Sequence, residues 1–358
     1  MEPPPSPQTN ESRPFGWGIV GTGVIARQFA EDLKLAGKAS VVAVSSRDVI
    51  GAKRFADELG GIRAYQELDA LLNDRSVDAV YVASPNQLHA EQAIQSIEAG
   101  KPVLVEKPLA VTSADAEAVF ASAFRNGVFA MEAMWSRFLP AVEAAKAAID
   151  AGAIGRVTSV SAELAYRMEE DADSRFFDPA LGGGAALDLG VYPLSLAVFM
   201  FGEPDAIDGN WRAARTGVDS RTDFNLRFGE AEADLSCGFD RDGDNAFRVF
   251  GTEGALVLSP PFLKAQRLSV FGPATSRLPF AGARSDLAGP LGKLLSRLPL
   301  PGRRSQNFEF PGSGLQFEAR HVQQAVRSGA LQSSIVPASD TIAVLKVIER
   351  IRSAPARD

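Results

Sequence analysis

Short apolar runs alternate with helical stretches between residues 17 and 136 of this 358-residue chain. This alternation is the βαβ rhythm of a parallel sheet whose faces are covered by crossover helices. Helical patterns lie between the runs, among them Ala90–Ala99, which Gly100 closes as a C-cap. The predicted strands are Trp17–Val20, Val41–Ser45, Ala79–Ala83, Pro102–Glu106 and Val128–Met131.

Beyond residue 150 the apolar residues alternate with polar ones and are separated by Gly and Asp turns. This pattern is typical of an antiparallel or mixed sheet with one covered face. Two helical stretches, Phe317–Ser328 and Ser339–Ser353, close the chain. The predicted strands of this part are Thr158–Tyr166, Asp223–Phe228, Ala233–Phe239, Ala246–Phe250 and Ala255–Leu258.

The length of the chain predicts two domains rather than one core. We expect a disordered lead at residues 1–14, a Rossmann dinucleotide-binding domain at 15–138, and a C-terminal α+β domain at 139–358 with an open, mostly antiparallel sheet. Pro, Gly and Arg dominate residues 272–312, which predicts an insertion of loop or short helices there.

The composition of the chain argues against several classes of protein and of binding site. A net charge of −7 argues against a general nucleic-acid binder. No run of 18 apolar residues occurs and the first residues lack a secretory pattern, so we expect a cytoplasmic protein without a membrane span. Cys237 is the only cysteine, and His89 and His321 are the only histidines, which excludes an internal disulfide and disfavours a metal site.

A nucleotide-binding fingerprint follows the first predicted strand as Gly21-Thr22-Gly23-Val24-Ile25-Ala26. In this G-x-G-x-x-A pattern Gly21 makes the tight turn, Gly23 allows the backbone to approach a pyrophosphate, and Ala26 packs the helix on the strand. The free N–H groups at the helix start supply an anion site. The sequence therefore predicts a bound dinucleotide.

The end of the second strand indicates which dinucleotide is bound. An NAD site places an acid here to accept a hydrogen bond from the ribose 2′-OH. This chain has Ser46 and Arg47, which suit a 2′-phosphate, followed by Asp48, which competes as a ribose acceptor. The pattern favours NADP(H) over NAD(H).

Lys107 ends the fourth of the long predicted strands, before Pro108. Open α/β sheets bind ligands at the carboxyl ends of their strands, although many strand-end lysines are simply solvated. No Tyr-x-x-x-Lys pair is present, and cysteine and histidine ligands for a catalytic zinc are lacking. The acid/base candidates are therefore Lys107 with Asp188 and Tyr192.

Asp188 and Tyr192 are four residues apart and share one face of a helix, although Pro193 predicts a kink there. A free tyrosine has a pKa of about 10, and a nearby ammonium lowers it. Tyr192 then exchanges a proton with an alcohol or carbonyl oxygen during hydride transfer. Taken alone, Tyr192 also fits a core residue and Asp188 a helix-start carboxylate.

These motifs together resemble the glucose–fructose oxidoreductase, inositol dehydrogenase and rhizopine-catabolism family (Gfo/Idh/MocA), from about Trp17 to Arg352. The resemblance rests on Gly21–Gly23, Ala83–His89, Glu106–Pro108 and Gly182–Tyr192. It implies that Lys107 contacts the nicotinamide ribose and the substrate. It further implies a cofactor-lining role for Ser84, Pro85, Asn86, His89 and Glu106, although His89 also fits a helix-start cap.

Tyr192 stands where inositol dehydrogenase-like members have a histidine, so the resemblance is to the branch of dimeric dihydrodiol dehydrogenase, D-xylose dehydrogenase and glucose–fructose oxidoreductase. The stretch from Glu132 to Pro140 is similar to that branch as well. There Trp135 and Arg137 would line the cofactor and substrate pocket, although Trp135 also fits packing at the domain junction. His321 has a structural role in this comparison.

The resemblance implies a sugar or cyclic diol as substrate and a homodimer formed through the C-terminal sheet. The predicted function is NADP(H)-dependent oxidation of a secondary alcohol. A dinucleotide-sensing regulator without turnover is the alternative of another class. A sugar reductase or a C–O bond-cleaving enzyme on the same scaffold also stays open.

Overall fold

The apolar runs near the amino terminus form a six-stranded sheet in the computed structural model, which describes residues 13–273 and 302–357. All neighbouring strands are parallel. The strands are β1 (Phe15–Val20), β2 (Ala39–Ser45), β3 (Arg63–Tyr65), β4 (Ala79–Val82), β5 (Val103–Glu106) and β6 (Ala130–Ala133). Their order, β3-β2-β1-β4-β5-β6, is that of a Rossmann fold, and it reverses between β1 and β4.

Helices connect these strands. They are α1 (Val24–Leu33), α2 (Val49–Glu58), α3 (Leu68–Leu72), α4 (His89–Glu98) and α5 (Ser113–Asn126). The predicted helix at 90–99 is confirmed within one residue at each end, and Gly100 follows it with φ +76°, a conformation that glycine adopts without a Cβ penalty.

The core of this sheet is apolar on both faces, as expected for a parallel sheet. Every residue of β1, β4 and β5 is buried. Phe29 of α1 stacks on Tyr81 with ring centroids 3.8 Å apart, and it meets Trp17 edge-on. These contacts hold α1 against β1 and β4, the two strands that flank the reversal.

A carboxyl-terminal segment joins the same unit. The contacts divide the chain into one unit of Met1–Trp135 with Pro311–Thr341 and a second of Ser136–Phe310 with Ile342–Asp358. Asp32 at the end of α1 accepts hydrogen bonds from the backbone N–H groups of Ser313, Gly314 and Leu315. A carboxylate at the start of α8 (Leu315–Arg327) also suits the helix dipole. The domain bounds taken from the sequence stay predictions.

The second unit contains an eight-stranded sheet with the order β14-β13-β12-β11-β7-β10-β9-β8. Its β7 and β10 are parallel and the other neighbours are antiparallel, so the predicted mostly antiparallel sheet is confirmed. The strands are β7 (Val157–Ala165), β8 (Ala206–Ala213), β9 (Asp219–Phe228), β10 (Ala231–Gly238), β11 (Phe247–Gly251), β12 (Ala255–Leu258), β13 (Arg267–Phe271) and β14 (Arg303–Asn307).

The predicted lead at 1–14 and insertion at 272–312 fall largely on residues that the structure does not describe. Within the described part of the insertion, Arg303–Asn307 is not a loop but forms β14, an edge strand paired antiparallel with β13. An exposed edge rich in charge, as here, is a usual way to end a sheet.

Three further helices complete the described chain: α6 (Pro140–Asp150), α7 (Val191–Phe201) and α9 (Ala338–Arg352). The stretch Pro179–Phe201 has the length and apolar composition of a membrane span, but most of it is buried inside the protein, as in the core helix of a globular protein. The sequence predicted a helical segment around Asp188 and Tyr192 but not the full length of this stretch.

The irregularity predicted at Pro193 takes another form. A wide π-helical turn, Ala186–Gly190, leads directly into α7, and Pro193 lies in the first turn of α7. Proline has no N–H, and its ring crowds the carbonyl of the residue four positions earlier. The wider turn relieves that crowding, and such turns recur at functional sites.

Candidate active site

The fingerprint turn lies at the end of β1. Gly21 has φ +104°, and its N–H donates to the Ser45 carbonyl at 2.9 Å. A Cβ at this position would lie 2.5 Å from the Ala83 carbonyl oxygen, so only glycine fits. The turn is thereby held between β2 and the end of β4.

Gly23 is the N-cap residue of α1 and has no side chain to cap the helix. A Cβ on Gly23 would meet no protein atom within 4 Å, and Val24 is 84% exposed, so this helix start opens to solvent. The N–H groups of a first helical turn lack partners within the helix and attract anions. The geometry therefore fits a pyrophosphate against Gly21, Thr22, Gly23, Val24 and Ile25.

The residues after β2 separate the two candidates for the ribose. Asp48 is the N-cap of α2, and its carboxylate accepts from the Gly51 N–H at 3.0 Å. Ser46 Oγ accepts from the Asp48 N–H at 3.2 Å. Arg47 is exposed. Since the Asp48 carboxylate is engaged in capping, the geometry suits Ser46 and Arg47 as phosphate ligands.

The loop after β4 carries the second group of predicted cofactor residues. Pro85 precedes a short 3-10 helix, Asn86–Leu88, and α4 begins at His89. Ser84 Oγ is buried and has no hydrogen-bond partner among the residues that the structure describes. A buried hydroxyl without a partner is costly, and a bound ligand at this edge would supply one. The residues present therefore fit a dinucleotide.

His89 does not cap α4, because the residue before the helix is Leu88 and no side-chain cap bond forms. Its ring instead makes two contacts with backbone carbonyls, Nδ1 with Pro108 O and Nε2 with Ser84 O, both at 2.8 Å. His89 therefore joins the loop after β4 to the turn after β5.

Lys107 lies half-buried at the end of β5, before a cis bond to Pro108. The preceding Glu106 is buried, and its carboxylate accepts from the Tyr81 hydroxyl and from the Lys107 N–H. Burial raises the pKa of Glu106, and the Tyr81 bond and the charge of Lys107 oppose this shift. The carboxylate beneath Lys107 fixes the backbone from which its ammonium extends.

Glu132 of β6 holds the other side of the same turn, and the sequence did not single it out. Its carboxylate accepts from the Leu109 N–H at 3.0 Å and from Thr341 Oγ1 at 2.8 Å. The signal that could have found it is a carboxylate inside a buried run, which needs several donors. Trp135, two residues beyond β6, is 5% exposed.

In the second unit, Asp188 and Tyr192 flank the junction of the wide turn with α7. Asp188 lies within Ala186–Gly190 and is partly exposed, whereas Tyr192 is 7% exposed in the first turn of α7. The structure therefore places both on one continuous helical segment, as the spacing predicts.

Arg137 is 1% exposed and packs against α7. Its Nε donates to Ser195 Oγ at 2.7 Å, its Nη2 donates to the Ser195 carbonyl at 2.8 Å, and the guanidinium lies 5.3 Å from the centre of the Phe199 ring. These contacts fix the helix that carries Tyr192. A pocket-lining role for Arg137 stays a prediction.

The structure thus brings the predicted residues together in two groups, one in each unit. Within the described ranges 13–273 and 302–357 no cluster of three or more His, Cys, Asp or Glu is arranged to hold a metal ion. The first unit holds Gly21, Thr22, Gly23, Val24, Ile25, Ser46, Arg47, Ser84, Pro85, Asn86, His89, Glu106, Lys107 and Trp135, and the second Arg137, Asp188 and Tyr192.

Residues 15–134 match the model of the oxidoreductase family GFO/IDH/MocA with an NAD-binding Rossmann fold. Residues 142–257 match the model of the GFO/IDH/MocA C-terminal domain. The two matches meet near the boundary of the two units, which lies after Trp135.

Individual relatives are similar over most of the chain. Trans-1,2-dihydrobenzene-1,2-diol dehydrogenase of Bos taurus is 30% identical over 94% of this chain and 96% of its own. D-xylose 1-dehydrogenase (NADP(+)) 2 of Haloferax volcanii is 37% identical over 69% of this chain and 76% of its own. A 3-ketoreductase from Actinomadura kijaniata, solved with NADP and TDP-benzene, superposes with a TM-score of 0.78 at 27% identity, covering 97% and 99% of the two chains.

Proposed function

The chain belongs to the GFO/IDH/MocA family of oxidoreductases with an NAD-binding Rossmann fold, and from this we propose that it is an NADP(H)-dependent dehydrogenase of a sugar or cyclic diol. The observation that carries the proposal is a lysine, Lys107, at the same sheet edge as the fingerprint turn Gly21–Gly23. The relatives named as dihydrodiol and xylose dehydrogenases support the substrate class.

Binding of the dinucleotide falls to the loops after β1, β2 and β4. The open start of α1 at Gly23 receives the pyrophosphate, and Ser46 with Arg47 receives the 2′-phosphate. Ser84, Pro85, Asn86 and His89 line the cofactor beside Glu106, Lys107, Trp135 and Arg137. When bound, the nicotinamide accepts or gives hydride. That one relative is named for NADP(+) and another was solved with NADP supports this choice over NAD.

The protein's own groups handle the proton. Lys107 is assigned to orient the reacting oxygen and to favour its negative charge, because an ammonium stabilises an alkoxide as it forms. Tyr192 is assigned as the acid/base group that takes the hydroxyl proton during oxidation and returns it during reduction. Asp188 is assigned to orient a substrate hydroxyl. These three roles rest on the family resemblance.

The test is a substrate screen with the full chain. Thermal-shift measurements with aldoses, inositols and trans-dihydrodiols in the presence of NADP⁺ identify ligands, and absorbance at the nicotinamide band then measures turnover, with NAD⁺ in parallel. Turnover of a sugar or diol with NADP⁺ is expected. Binding of NADP⁺ without turnover anywhere in the panel would contradict the dehydrogenase and favour a dinucleotide-sensing regulator.

We also propose a cytoplasmic homodimer that pairs through the eight-stranded sheet. Polar side chains of β7, β9 and β10 line a pocket on this sheet, among them the Arg221–Asp223 ion pair and Glu163, which pairs with Arg241. Such a mixed-charge surface suits a self-complementary interface. Light scattering on the purified chain is expected to give twice the chain mass of 38.0 kDa.

A further inference from the structure

His89 is a buried histidine whose two ring nitrogens both contact carbonyl oxygens. Nδ1 lies 2.8 Å from Pro108 O, and Nε2 lies 2.8 Å from Ser84 O. The residue is 1% exposed, so water does not replace either contact. Both partners belong to the main chain, and neither can rotate away.

A carbonyl oxygen only accepts hydrogen bonds, and a neutral imidazole carries only one N–H. In either neutral tautomer one nitrogen lone pair would face a carbonyl lone pair at 2.8 Å. Only the imidazolium donates at both positions. We infer that His89 is doubly protonated and that its two N–H groups clamp the Ser84 loop to the Lys107–Pro108 turn.

Two effects oppose a cation at this position. His89 is the first residue of α4, where the helix dipole disfavours positive charge, and burial removes hydration. Against them stand two charge-assisted hydrogen bonds of good length, each roughly twice as strong as a neutral one. In a neutral ring, the lone pairs of one nitrogen and of its carbonyl partner would repel each other, which further favours the imidazolium. The two fixed carbonyls therefore decide the protonation state.

The ionisable groups around His89 belong to α4 itself and to the elements packed against α4. These are β4, β5, α5 and the Asn86–Leu88 turn. The buried Glu106 on β5 is the carboxylate at the same strand end, with Lys107 next to it, while Glu91 lies in the first turn of α4 itself. The ionisable groups on β4 and α5 are Tyr81, Asp115, Glu117 and Arg125.

The clamp gives His89 a positioning role, and this step rests on the proposed function. Ser84 belongs to the loop assigned to the cofactor, and Pro108 follows the lysine assigned to the substrate oxygen. One imidazolium sets the spacing of both loops at adjacent strand ends. Loss of the imidazolium would change the affinity for the cofactor through the Ser84 loop. It would also change the rate of hydride transfer through the position of Lys107.

The direct test is nitrogen NMR of the protein labelled at its histidine rings. The chain has only two histidines, so a His321→Gln variant assigns both. His321 Nε2 lies 2.8 Å from the Ser333 hydroxyl, which can donate or accept, and burial lowers the pKa of His321. It is therefore the internal example of a neutral ring. At about pH 7.5, one unit above the ordinary histidine pKa, two protonated nitrogens are expected for His89 and one for His321.

An unprotonated nitrogen assigned to His89 at that pH would overturn the inference. This measurement needs neither cofactor nor turnover, so its failure is distinct from failure of the proposed function. Two protonated nitrogens support the clamp whether or not a substrate has been found.

A pair of variants separates the two ends of the clamp. The amide of asparagine mimics Nδ1 and keeps the donor to Pro108, whereas the amide of glutamine mimics Nε2 and keeps the donor to Ser84. His89→Asn is expected to weaken NADP⁺ binding by about tenfold with a smaller change in the hydride-transfer rate, and His89→Gln the reverse. Equal effects of both variants on both quantities would contradict two separate functions of the ring.

Discussion

The carboxylate of Asp219 accepts a hydrogen bond of 2.6 Å from the backbone N–H of Ala186, the first residue of the wide turn that leads to Tyr192. Asp219 is fully buried, its Oδ2 also accepts from Thr222 Oγ1 at 3.0 Å, and Arg352 Nε lies 3.4 Å from its Oδ1. Burial raises the pKa of Asp219, and the charge of Arg352 opposes this shift. One buried acid therefore anchors the segment that carries Asp188 and Tyr192.

Asp219→Ala is expected to destabilise the protein by about 1–3 kcal/mol, because it leaves the buried Ala186 N–H without its acceptor. Asp219→Asn keeps an acceptor and should cost less. Urea unfolding measures both. Glu232→Ala, at an exposed position of β10, is the control and should stay within about 0.5 kcal/mol of the parent. If Asp219→Ala loses no more unfolding free energy than Glu232→Ala, the contacts of Asp219 do not stabilise the protein.

Gly21→Ala and Gly23→Ala form a matched pair in the fingerprint. A Cβ on Gly21 meets the Ala83 carbonyl at a residue with φ +104°, so Gly21→Ala should lose at least about 1–2 kcal/mol of stability and also bind NADP⁺ poorly. A Cβ on Gly23 meets no protein atom, so Gly23→Ala should weaken NADP⁺ binding by tenfold or more, on the order of 1.4 kcal/mol, while the melting temperature hardly changes. Calorimetric titration and thermal melts distinguish the two. A normal affinity in Gly23→Ala would contradict the pyrophosphate site.

Arg47→Ala should change the choice between the two dinucleotides. A hydrogen bond to a charged group contributes about 1.5–3 kcal/mol, so the affinity for NADP⁺ should fall by roughly 10- to 100-fold while that for NAD⁺ is kept. Arg54→Ala, on the exposed side of α2, removes the same charge and should leave the ratio unchanged. If the ratio of the NADP⁺ and NAD⁺ affinities is unchanged in Arg47→Ala, Arg47 does not bind the 2′-phosphate and Asp48 is the better candidate for the ribose.

Glu318 of α8 is fully buried, and neither of its carboxylate oxygens has a hydrogen-bond partner among the described residues. Burial, together with the negative charges of Glu106, Glu132 and Asp32, raises its pKa well above the ordinary value. The folded protein therefore keeps Glu318 protonated to higher pH than the unfolded chain, which releases the proton above about pH 4.3. The contribution of Glu318 to stability falls as pH rises from there toward the folded pKa.

Glu318→Gln removes this titration, so the variant should gain stability over the parent as pH rises above about 4.3, by at most ~1.4 kcal/mol per pH unit. Urea unfolding at several pH values gives the difference. Glu232→Gln, which changes an exposed carboxylate, should show no such trend. A difference between Glu318→Gln and the parent that is constant with pH would mean that Glu318 is ionised in the folded protein.

The long, strongly patterned elements could be predicted from the sequence, and the short or irregular ones could not. The buried runs that became β1, β4 and β5 are apolar throughout and were found within two residues. β3 has three residues with little burial, and β8 contains a glycine and several exposed residues, so neither carries a clear alternation. Val128–Met131 was placed two residues early, because the apolar run begins before the strand does.

The residues of the candidate site also fall into those that could be predicted from the sequence and those that could not. Gly21, Gly23 and Lys107 could be found because a tight turn and a strand end impose local patterns. Asp219 and Glu132 could not, because each acts on residues far away in the chain, at Ala186 and Thr341. Only the folded sheets bring these partners together. The helix at Leu315–Arg327 was found, but its attachment to Asp32 depends on the same kind of distant contact.

The assignment of Tyr192 is tested most directly by the single-turnover rate of NADPH formation, measured by stopped flow with saturating substrate and NADP⁺. Tyr192→Phe removes one hydroxyl, and the rate should fall by roughly 10²–10⁴-fold, the usual contribution of a general acid/base group. Tyr65→Phe is the matched control, because its hydroxyl contacts Asp74 at 3.2 Å and takes no part in the proposed chemistry. An unchanged rate in Tyr192→Phe would contradict proton transfer by Tyr192.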